Sequence, residues 1–226
     1  IPSRLVGSEM CIRDSHVSAI KSTRRNVKAL SQDSFSKYKE APPNTIACNE
    51  TDSNADTCCL GKNFAMLSPT ERTADVFPYD SSYEPLLNVP IVSAATAWDD
   101  PQTGITWLLI INEGLYYGSK LDHSLLNPNQ LRYHGVEYND NPFDKSQPLG
   151  INNDIVSIPL ETKGTKIMFE SRVPTLDELN NLPESQRVQL TSLHPWNPES
   201  VELSEMSITN RSVSYTHLTL PTMRTV

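Results

Sequence analysis

The sequence predicts a mainly β fold, and three observations carry that prediction. Seventeen prolines are spread along the chain, and proline punctuates short elements instead of extending helices. Residues 89–98 and 105–112 are dense in Val, Ile, Thr and Trp, side chains that suit a pleated, half-buried surface. Apolar residues at helical spacing are scarce.

Taken in order, residues 45–48 form the first strand candidate, followed by 64–67, which Ser68-Pro69 closes. The runs at 89–98 and 105–112 pair as a hairpin, because Asp100, Pro101, Gln102, Thr103 and Gly104 between them supply turn chemistry. Residues 131–138, 155–160 and 165–170 are shorter strands, with Lys163-Gly164 turning the last two. Thr175-Leu-Asp-Glu178 has the form of a capping box, in which hydroxyl and carboxylate each satisfy a backbone donor at a helix start. Leu176, Leu179 and Leu182 give that helix an apolar face, and Pro183 stops it. Beyond it, residues 183–212 are polar, hold three prolines and read as a spacer. There is no internal repeat.

The two ends read as foreign to the fold. Met10–Asp14 back-translated as ATG TGT ATA AGA GAC has the reverse complement GTC TCT TAT ACA CAT, which encodes the residues at 213–217. Two ends related as opposite strands of one DNA word resemble translated sequencing adapters, so residues 1–15 and 213–226 are set aside. Residues 16–44 carry Lys21, Arg24, Arg25, Lys28, Lys37 and Lys39 against only Asp33 and Glu40, and read as a basic flexible linker. The expected organisation is then a β domain over 45–170, with the short helix and polar spacer over 171–212.

The excluded ends hold three basic and two acidic residues, which leaves 16 Lys and Arg against 25 Asp and Glu, a net of −9. Such a chain is not a general nucleic-acid binder. No apolar run is long enough to span a bilayer as a helix, so no membrane partner is expected. Outside the ends the cysteines are Cys48, Cys58 and Cys59; an odd number with an adjacent pair points to reduced thiols and an intracellular protein. Phosphate loops, dinucleotide fingerprints and nucleophile elbows are absent. Asp122-His123-Ser124 reads as a turn, since adjacent residues do not present a triad's geometry to one another.

The stretch with chemistry in it is Asp52-Ser53-Asn54-Ala55-Asp56-Thr57. As a calcium loop it has oxygen side chains at the first, third and fifth positions, but Thr57 stands at the required glycine and Asn63 at the required bidentate glutamate. The same residues resemble the Asp-Thr/Ser-Gly-Ala-Asp signature of retroviral and retrotransposon proteases. Leu125-Leu126-Asn127-Pro128-Asn129-Gln130-Leu131 in turn is similar to the Leu-Leu-Ser-x-x-Gln-Leu segment of copia-like polyproteins, with Asn127 in place of Ser. Both blocks in order resemble a copia-like retrotransposon gag-pol fragment. The resemblance implies a retropepsin-like closed β-barrel with a short helix and disordered ends, acting as an aspartic endopeptidase on a polyprotein peptide. Asp52 would be the catalytic carboxylate and Ser53 its supporting hydroxyl. Asn54, Ala55, Asp56 and Thr57 would shape the turn, and Asp100–Gly104 would be a flap. One half-site per chain implies a homodimer, and the mechanism needs no metal or cofactor. Contact with nucleic acid would come only through neighbouring polyprotein regions, and the setting would be the cytoplasm or a virus-like particle. The pattern departs from the family at Asn54, where glycine is usual, and at Asn49-Glu50-Thr51, where the approach strand is usually apolar. A decayed copy without activity, kept as a structural segment, is the alternative that these departures raise.

Overall fold

The computed structural model describes residues 27–29, 37–78 and 82–201. The expectations for both ends and for most of the basic linker fall outside those residues. The described chain is mainly β, as the sequence predicts. Its strands are β1 (Val27–Ala29), β2 (Ile46–Thr51), β3 (Cys59–Leu60), β4 (Ala65–Val76), β5 (Leu86–Asp99), β6 (Thr106–Tyr116) and β7 (Ser124–Leu126). Helix α1 (Pro128–Tyr133) follows, then β8 (Glu137–Asn139), β9 (Gly150–Asn152), β10 (Ser157–Pro159), β11 (Glu161–Lys163) and β12 (Lys166–Arg172). Helix α2 (Leu176–Asn181) and β13 (Arg187–Gln189) complete it.

The large sheet has the order β1-β4-β5-β12-β2-β7-β3-β6-β13, with β11 beside β12 and a further β5–β6 pairing. That last pairing returns the path to β5, so six strands form a ring. The pairs β4–β5 and β5–β6 are long and antiparallel, the second built on two β-branched runs, whereas β2–β7, β3–β6 and β13–β6 are parallel. The small sheet β10-β9-β8 stands apart in hydrogen bonding.

Leu60, Ile91, Leu109, Ile111, Leu126 and Tyr116 are fully buried in one core. Inside it runs a polar cluster drawn from four strands and the segment after β3. Asn49 Nδ2 and Asn63 Nδ2 donate to Ser171 Oγ at 2.8 and 2.9 Å, and Ser124 Oγ donates to Asn63 Oδ1 at 2.6 Å. Asn63 Nδ2 also reaches Asn49 Oδ1 at 2.8 Å, and Gly61 N donates to Ser124 Oγ. Thr96 Oγ1 donates to the Arg172 carbonyl at 3.1 Å, which leaves the Ser171 hydroxyl as donor in the 2.6 Å contact between the two. These buried groups satisfy one another, as a polar cluster in an apolar core must.

Three expectations need correction. Residues 131–138 are expected as a strand, but 128–133 are helical: Asn127 caps the helix through Asn129 N and Gln130 N, and Pro128 sits where a missing N–H is harmless. Ser68-Pro69 does not close its strand; β4 continues to Val76 through register shifts that accommodate proline. The stretch read as a spacer contains β13, and Trp196 beyond it is buried. The helix at α2 forms with the expected capping box, and Gly164 takes the positive φ of the Lys163-Gly164 turn.

Candidate active site

Strand β2 delivers Asp52, and the chain turns back through residues 53–58 into β3. Strand β7 is threaded between the two arms of this turn, parallel to β2 and antiparallel to β3. The turn is therefore held from inside by the segment 126–130. Asp52 N donates to the Leu126 carbonyl at 3.0 Å, Asn127 Nδ2 to the Ala55 carbonyl at 2.5 Å, and Cys58 N to Gln130 Oε1 at 2.8 Å. Asn127 N also meets Cys58 Sγ at 3.3 Å. The two sequence blocks singled out above, about seventy residues apart, are in direct contact.

Asp52 is 7% exposed. Its Oδ1 accepts from Asn54 N at 2.8 Å, while its Oδ2 is buried with no hydrogen-bond partner. Burial pushes its carboxyl up; the amides of Asn54 and Ala55 oppose the shift, and the Glu50 carboxylate adds to it. The result is an acid whose protonated form is favoured over that of an exposed aspartate.

Around it, Ser53 and Asn54 are exposed, while Ala55 and Thr57 are buried. Asn54 is not among the residues with positive φ, so this turn closes without the left-handed conformation for which glycine would be required. Asp56 presents its carbonyl to Trp196 Nε1 at 2.9 Å and leaves Oδ2 buried without a partner. Asn63 commits its amide to the core cluster, away from any loop ligand position.

The hairpin tip at Asp100, Pro101, Gln102, Thr103 and Gly104 is bonded within itself: Asp100 Oδ2 accepts from Thr103 Oγ1 and Asp100 Oδ1 from Gln102 N. At its base Asp99 pairs with Arg172, which also grips Glu178. Ile105 N donates to Thr103 Oγ1 and Gly104 N to the Asp100 carbonyl, so these bonds keep the tip folded on itself within residues 100–105.

Asp122 pairs with Lys62 on the surface, and Ser124 is a buried member of the core cluster, so Asp122, His123 and Ser124 do not converge. Cys58 and Cys59 are buried free thiols; burial pushes Cys58 up to about 12, which keeps it protonated and inert. Sequence reasoning missed Gln130 and Trp196 as supports of the turn. Gln130 lay within a quoted motif, whereas nothing local distinguishes Trp196.

No protein-family model, curated protein or solved structure matches the chain.

Proposed function

We propose that this chain is the aspartic endopeptidase region of a copia-like retrotransposon polyprotein, with the Asp52 carboxyls of two copies as its catalytic pair. The observation that carries the reading is Asp52 itself: one oxygen held by a backbone amide, the other buried without a partner, on a turn braced by the second motif block. Two such carboxyls facing each other share a proton, because like charges that close do not both ionise. The ionised member takes a proton from water as the water attacks the peptide carbonyl, and the protonated member donates to the carbonyl oxygen.

The ring of strands supports the finer reading of a closed, retropepsin-like barrel. Followed through β7, β3 and β6, Glu50 leads to Ile91; followed through β12, Ile46 leads to Ala97. The two routes differ by four residues on β2 and six on β5, a stagger of ten that tilts the strands as barrel closure requires. Ser53 and Asn54, exposed at the crest of the turn, are the residues that a second copy would meet first. The negative φ of Asn54 favours a working turn over a decayed one.

The test fuses the full chain to an upstream gag-like substrate and follows cleavage. Cleavage abolished both by Asp52→Asn and by a hydroxyl-bearing transition-state mimic is the expected result. Cleavage that continues unchanged in Asp52→Asn overturns the assignment.

A further inference from the structure

The segment that follows α2 returns to the aspartate turn. Strand β13 pairs in parallel with β6 along Leu108, Leu109 and Ile110, on the edge that β3 leaves open. Leu190 N donates to the Ile110 carbonyl at 2.8 Å. Asn112 then fastens the next residues: its N donates to Thr191 Oγ1 at 2.6 Å, and its Nδ2 reaches the Thr191 carbonyl at 2.7 Å and Gln189 Oε1 at 2.9 Å. This strap ends on Trp196, which is 5% exposed.

Trp196 bridges three parts of the site. Its indole Nε1 donates to the Asp56 carbonyl at 2.9 Å, in the outer arm of the turn. Its backbone N donates to Glu113 Oε2 at 3.1 Å; Glu113 is buried at positive φ and pairs through its other oxygen with Arg72. Its ring packs against Tyr133 and His134 at the end of α1, with centroids 5.2 and 6.1 Å away. The same α1 region holds Ala55 and Cys58 through Asn127 and Gln130. Residues 53–57 are thus clasped between α1 on one side and the indole on the other, and within that arm lie the Asn54 and Ala55 amides that stabilise the Asp52 carboxylate.

We infer that Trp196 is a positioning residue for Asp52, acting through the Asp56 carbonyl to hold the amides that face the carboxyl. Its consequence for catalysis rests on the peptidase reading, but the positioning does not. The indole N–H is a hydrogen bond that phenylalanine cannot make, while most of the ring's packing survives in Trp196→Phe.

The test compares the wild-type chain with Trp196→Phe and Trp196→Ala by amide hydrogen exchange and by a carbon-detected titration of the Asp52 carboxyl. In Trp196→Phe, exchange at 53–57 should quicken about tenfold or more while β5 amides stay unchanged, and the Asp52 titration should move. Where the chain cleaves substrate, kcat should fall with KM nearly constant, since a misaimed carboxyl loses transition-state contacts and not ground-state binding. Unchanged exchange at 53–57 and an unmoved Asp52 titration in Trp196→Phe overturn the inference, whether or not Trp196→Ala folds. A wild-type chain without peptidase activity would sink the functional reading and leave these two readouts to decide the role of Trp196.

Discussion

Asp52 buries a carboxyl whose Oδ2 has no hydrogen-bond partner. Because burial raises its titration above that of the unfolded chain, the folded state binds the proton more tightly. Stability from this group is therefore full at low pH and is lost as pH rises through the folded titration. Asp52→Asn removes the buried charge while keeping an acceptor for Asn54 N. At neutral pH and low protein concentration it should raise Tm by roughly 2–4 °C, the equivalent of about 1 kcal/mol in a chain of this size. The gain should shrink towards zero in acid, as the wild-type carboxyl takes up its own proton. A lower Tm for Asp52→Asn at pH 7, seen by calorimetry, would contradict this account of the site.

Among the elements, α1 shows most clearly how a short helix can organise a turn far away in sequence. Asn127 does two things at once: Oδ1 caps the helix, and Nδ2 holds the Ala55 carbonyl. Asn127→Ala should lose both and cost about 1–2 kcal/mol in urea unfolding. Asn127→Asp separates them, because it retains the cap acceptor but sets an anion against the Ala55 carbonyl. It should be no more stable than the alanine variant at neutral pH. An aspartate variant as stable as wild type would show that the cap alone matters. This element was also the hardest to read in advance. Leu131 and Tyr133, then Val136 and Tyr138, each repeat at the two-residue spacing of a strand, a pattern stronger than the quieter Asn-Pro start signal. By contrast the capping box at Thr175 was legible because both of its bonds lie within four residues.

For the whole molecule, the β5–β6 hairpin was readable because its two β-branched runs carry the pattern locally. The parallel pairings were not. Strands of two or three residues such as β3, β7 and β13 have no periodicity to detect, and their partners lie tens of residues away. The sequence could present the aspartate turn as a motif, but not the strand threaded through it or the strap beside it. That strap also moves the end of the folded unit well beyond residue 170. A chain ending at residue 183 would uncover the β6 edge and take the Trp196 amide from the buried Glu113. It should unfold without a sharp transition and bind an apolar dye, whereas a chain ending at 201 should melt cooperatively. Equal cooperativity in both would show the strap to be dispensable.

The polar cluster in the core also constrains how the chain can misfold. Side chains alternate along a strand, so sliding β12 by one residue against β2 would turn Ser171 outward and strand the amides of Asn49 and Asn63 in hydrocarbon surroundings. A purely apolar interior would lose burial on such a slip but would leave no polar group stranded. Here the misaligned sheet also forfeits several buried polar contacts together, so alignment of the strands is proofread by hydroxyls and amides buried within it.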